Sequence, residues 1–95
     1  MTDRQALILS IIEAAGEDGI IVADIVRESG ETLGLHATYK EIDRMDGVKH
    51  WTESSYRAGE AGKPRRVVRL TRDGMVVLAA HRAAQAVLKE AYGSR

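Results

Sequence analysis

The chain has 95 residues, with 14 basic and 14 acidic side chains, no cysteine, no phenylalanine, one tryptophan and three tyrosines. This length suits one small domain with an aliphatic core, and the lack of cysteine excludes a disulfide scaffold or thiolate metal site and fits a reducing cytoplasm. No apolar run approaches the ~20 residues of a membrane span, and Met1-Thr2-Asp3-Arg4 does not read as a signal peptide.

Thr2-Asp3-Arg4-Gln5 has the T-x-x-Q form of a capping box. Leu7, Ile8, Ile11, Ile12 and Ala15 then recur at helical spacing and predict a core helix ending at Gly16. Ile20-Ile21-Val22 predicts a brief strand. From Val22 the pattern turns helical for about two turns and stops at Gly30, where a left-handed residue suits a helix end. A connection containing Gly34 leads to a third helix over about 36–46. Its inward face is expected to be Leu35, Tyr39, Ile42 and Asp46, flanked by Thr38 and Met45. Ala37, Lys40, Glu41 and Arg44 are expected to point outward, with His36 and Asp43 at the border. Two short helices around a Gly-containing turn make a helix-turn-helix pattern, which by itself suits a plain helical core equally well.

Asp46-Gly47 is expected to stop that helix, with a strand starting at Val48 and running past Tyr56. Ala58-Gly59-Glu60-Ala61-Gly62-Lys63 has the composition of an exposed hairpin tip. Pro64 lacks an N–H and suits the start of an edge strand. Over 65–70, alternation places Arg65, Val67 and Arg69 on one face and Arg66, Val68 and Leu70 on the other. Thr71 or Asp73 then caps a last helix, Met75 to Tyr92, which is apolar on nearly every side. Gly93-Ser94-Arg95 reads as a frayed end.

The zero net charge hides an asymmetry. Residues 1–39 carry two basic side chains against seven acidic, whereas residues 40–72 carry nine against five. From Arg57 to Arg72, six basic residues face only Glu60. Because charges are screened beyond about 8 Å at physiological salt, a phosphate responds to this local excess, not to the total.

The order helix, short strand, helix, helix, strand, basic hairpin, strand, helix resembles a winged helix-turn-helix. Residues 35–74 resemble the PadR-like transcriptional regulators, with Tyr39 and Ile42 on the recognition helix, Asp46-Gly47 at its end, and Arg66-Val67-Val68-Arg69-Leu70-Thr71-Arg72-Asp73-Gly74 after the wing. MarR-like regulators share this order of elements. The resemblance implies an α+β fold: a three-helix core, a basic β-hairpin wing and a C-terminal dimerisation helix. It divides the chain into a DNA-binding unit over 1–74 and a dimerisation helix over 75–95.

Double-stranded DNA is the expected partner. His36, Thr38, Lys40 and Arg44 are the expected contacts from the third helix, and Arg57, Lys63, Arg65 and Arg69 from the wing. Val77, Leu78, Ala84, Val87 and Leu88 are the expected homodimer contacts. The leading reading is a repressor acting as a homodimer on a palindromic operator. A protein–protein adaptor, or a plasmid- or phage-type factor for partition or replication, stays open beside it. His36, His50 and His81 are too scattered to suggest a metal site. Ser54 and Ser55 lack a nucleophile context, and Gly59 and Gly62 make no phosphate loop. No enzyme, cofactor or metal is therefore expected, and a small-molecule effector has no support beyond a lone Trp51, which reads as core.

Overall fold

A computed structural model describes residues 1–93; Ser94 and Arg95, read above as part of a frayed end, lie outside it. Helix α1 spans Asp3–Ala15. Its capping box forms as the T-x-x-Q spacing requires: the Gln5 N–H donates to Thr2 Oγ1 (3.1 Å) and the Thr2 N–H to Gln5 Oε1 (2.9 Å). Strand β1 is only Ile20–Ile21, and it leads directly into α2, Val22–Glu28. Helix α3 is Leu35–Arg44, β2 is Thr52–Ala58, β3 is Pro64–Leu70 and α4 is Arg72–Tyr92.

The sheet has the order β1-β3-β2, antiparallel throughout. Strand β3 is therefore central near its C-terminal end, where Val67 and Val68 pair with Ile21 and Ile20. Beyond β1, the hairpin projects as a two-stranded wing with Arg57 opposite Arg65 and Tyr56 opposite Arg66. The core is aliphatic, as the composition requires: Ile8, Leu9 and Ile12 of α1 meet Val22, Ile25, Ile42, Met45, Val68 and Leu78. Gly19, at φ 77°, lies so close to the sheet that a Cβ there would be 2.6 Å from Val67 Cγ1 and 2.9 Å from the Val68 carbonyl oxygen. Val67 is buried, 1% exposed, although it stands outside the main core cluster that holds its neighbour Val68.

Asp46-Gly47 does not stop the third helix. The chain continues through a π-helical turn, Met45–Lys49, and ends in the left-handed region at His50, φ 58°. Val48–Trp51 is consequently not strand, and β2 starts at Thr52. The cause is a set of bonds from outside the helix: the Asp46 carboxylate is held by Thr52 and Ser54, and the Trp51 N–H donates to the Met45 carbonyl (2.9 Å). These draw the end of the helix onto β2.

Candidate nucleic-acid interface

The exposed side of α3 carries His36, Tyr39, Lys40, Asp43 and Arg44. The core takes Thr38, Ile42 and Met45, at i, i+4 and i+7. This turns the helix by most of one residue step, ~100°, from the expected orientation. Leu35 and Tyr39 become exposed, while Ala37 and Glu41 become half-buried. Thr38 must be withdrawn from the expected DNA contacts, because it is 1% exposed and its hydroxyl donates to the Gly34 carbonyl (2.7 Å). With its hydroxyl satisfied by its own helix, threonine packs as a small apolar residue. His36 and Lys40 stand open, and Arg44 is exposed with a 3.3 Å ion pair to Glu41.

The wing divides its arginines by face. Arg57, Arg65 and Arg69 lie on the side away from α3, and two of them already hold the turn after α1. Arg69 donates to the carbonyls of Glu17 (2.8 Å) and Asp18 (3.2 Å) and to Ser55 Oγ (2.9 Å). Arg57 reaches the Asp18 carbonyl at 3.3 Å. Lys63 and Arg65, nearer the tip, are exposed.

Arg66 lies on the other face and joins the wing to α3. Its Nη1 pairs with Asp43 at 2.6 Å, its Nη2 with Asp46 at 2.8 Å, and its Nε donates to Ser54 Oγ at 2.9 Å. Burial alone would raise the Asp46 carboxyl. Donation from Ser54 and Thr52, together with Arg66, prevails and holds it below the ordinary carboxylate range. Burial likewise works against the Arg66 charge, but bonds to Asp46 and Asp43 raise its pKa further. The Ser54 hydroxyl, donating to Asp46 (2.5 Å) and accepting from Arg66, is a structural link. Among the described residues no His, Cys, Asp and Glu cluster suits a metal ion, and no helix is long and apolar enough to cross a membrane.

This assembly of α2, α3, a three-stranded sheet and a long last helix has counterparts among solved structures. A PadR-like transcription factor from Bacteroides fragilis matches with a TM-score of 0.78 at 17% identity, over 94% of this chain and 85% of that one. A PadR family transcription regulator from Clostridium difficile R20291 matches with a TM-score of 0.75 at 25% identity, over 94% and 93%. The chain has a PadR-like winged-helix fold. No family model matches the sequence, and neither does any curated protein.

In this PadR-like winged helix, α4 is capped by Thr71, whose Oγ1 accepts from the Gly74 N–H (3.0 Å). Its first half packs on the domain, and Arg82 ties it to α1 through Glu13 (2.8 Å) and Ser10 (3.2 Å). Leu78 is withdrawn from the expected dimer contacts: it is 1% exposed and belongs to the chain's own core. Val77 is half-buried against that core, while Ala84, Val87 and Leu88 are exposed. Every residue from 83 to 93 is exposed. Val77, Ala80, Ala84, Val87 and Ala91 alternate spacings of three and four along one side, the pattern of a two-helix seam.

Sequence reasoning misses Asp43, Asp46 and Arg66 as a unit. The signal is nonetheless present: alternation puts Arg66 on the same face as Val68 and Leu70, where an arginine needs acidic partners. Asp43 and Asp46, three residues apart on the preceding helix, can supply them.

Proposed function

We propose that this protein is a DNA-binding transcriptional regulator that represses by binding a palindromic operator as a homodimer. The observation carrying this reading is a division of labour within a PadR-like fold. The exposed side of α3 and the wing tip offer His36, Lys40, Arg44, Lys63 and Arg65, while the far half of α4 offers an apolar seam that its own chain leaves uncovered. Helix α3 enters the major groove and the wing follows the phosphates. The α4 seam meets its copy across a two-fold axis and sets the two α3 helices about one DNA turn, ~34 Å, apart.

Fluorescence anisotropy on duplexes enriched from a random pool tests the DNA reading. Lys63→Ala combined with Arg65→Ala is expected to weaken binding to all sequences alike and to lower the salt slope by about 2, near one unit for each phosphate no longer engaged. An unchanged slope would remove the wing from the interface. Arg57 and Arg69 are poorer choices, because their guanidinium groups also hold the turn after α1.

Sedimentation equilibrium tests the dimer. The wild type is expected to be dimeric at micromolar concentration, and Val87→Asp, in the middle of the exposed seam, monomeric but folded. A well-folded wild-type monomer at high concentration would exclude the palindromic arrangement.

A further inference from the structure

The exposed side of α3 contains one residue that DNA should repel. Asp43 lies between Lys40 and Arg44, and its side chain is 66% exposed. The field that draws the arginines toward phosphate acts against this carboxylate. Its Oδ1 accepts from Arg66 Nη1 at 2.6 Å, while no bond engages Oδ2 among the described residues. Arg66 is only 15% exposed and is already held by Asp46 and Ser54. The direction of the Asp43 carboxylate is therefore set from behind, by a group that cannot swing away. One turn further on, Gly47 adds no side chain, and a Cβ there would meet nothing within 4 Å. With its side chain 66% exposed, the Asp43 carboxylate is open to solvent.

We propose that Asp43 is a specificity-determining residue whose free Oδ2 accepts a hydrogen bond from a cytosine N4 amino group in the major groove. Arg66 is the positioning residue that aims it. This inference rests on the DNA-binding reading above. Cytosine is favoured over adenine because adenine presents the N7 acceptor beside its amino group, which repels a carboxylate, whereas cytosine presents the donor alone. Guanine and thymine offer O6 or O4 at the same place and are rejected. Arg66 neutralises part of the charge on Asp43 and so reduces the repulsion from flanking phosphates without occupying the reading oxygen.

The test is selection of bound duplexes from a randomised pool, sequenced for the wild type, Asp43→Asn, Asp43→Ala and Arg66→Lys. The wild type is expected to enrich cytosine at one position in each half-site. Asp43→Asn keeps an amide oxygen for Arg66 but replaces the free acceptor with a donor. The preference for cytosine at that position should fall on the order of tenfold and move to a base presenting an acceptor. Asp43→Ala should lose the preference without gaining another. Arg66→Lys keeps the charge but not the forked geometry, and it should blur that one position more than the rest. A uniform loss across the site would make Arg66 merely structural. If Asp43→Asn selects the wild-type consensus and binds every sequence equally more tightly, Asp43 is only a tether and the inference fails while DNA binding stands. If the wild type enriches no duplex, both readings fall together.

Discussion

Gly74→Ala is expected to cost more than about 4 kcal/mol, the range reserved for a specific structural failure. A Cβ at Gly74 would sit 1.9 Å from the Trp51 carbonyl oxygen and 2.9 Å from its carbon. Neither partner can yield easily. The Trp51 carbonyl accepts from the Thr71 N–H (3.0 Å), and the Trp51 N–H is committed to Met45 (2.9 Å). Helix α4 would have to lift from the sheet, breaking its cap and withdrawing Leu78 from the core. Helix propensity alone predicts the opposite sign, since alanine is favoured over glycine by about 1 kcal/mol inside a helix. Urea unfolding monitored by circular dichroism separates the two: an unchanged or stabilised alanine variant would show that the close approach does not govern this junction.

Arg66→Ala is expected to cost about 2–4 kcal/mol, because it leaves a partly buried Asp46 without its cation. It should also change the response to acid. In the wild type the Asp46 pKa is depressed in the folded state. The stability it contributes is therefore fully present above the unfolded carboxylate value of ~3.9 and is lost as pH falls through the native value. Removing Arg66 takes away an ion pair and a hydrogen bond, so the native pKa rises toward the unfolded value, and the acid-dependent loss becomes smaller and is complete at higher pH. Asp46→Asn should abolish this part of the acid transition. Thermal midpoints measured from about pH 2.5 to 7 would reveal the shift, and parallel curves for wild type and Arg66→Ala would contradict it.

Much of the fold is legible because its signals are local. The Thr2 capping box and the Thr71 cap depend on residues three apart, and the brief strand at Ile20–Ile21 is bounded by glycine and by a change of period. The orientation of α3 is less legible for a physical reason. Leu35, Tyr39 and Ile42 make a more hydrophobic stripe than Thr38, Ile42 and Met45, yet the second stripe faces the core. Sequence does not show that the Thr38 hydroxyl is satisfied by Gly34, nor that Met45 is drawn inward by the π-helical turn. The end of α3 is hidden for a related reason: Asp46-Gly47 is a good local stop, but Thr52, Ser54 and Arg66 hold Asp46 from β2 and β3. Leu78 illustrates a third limit. On a helix apolar nearly all round, composition cannot say which leucine belongs to the chain's own core.

Thr71 joins the wing strand to α4 with three bonds at a single residue: its N–H donates to Trp51, its hydroxyl donates to His50 (2.5 Å), and that same oxygen accepts from Gly74. Such a joint transmits an angle and absorbs little of it. For two copies held together along α4, the separation of their reading helices becomes a fixed gauge, like the width between rails. One base pair inserted between the half-sites would displace the second by ~3.4 Å and rotate it by ~34° about the duplex. The protein has no pliant joint at this point with which to follow, so the strain would fall on the DNA, and tolerance of spacer length would depend on how readily the intervening base steps overtwist.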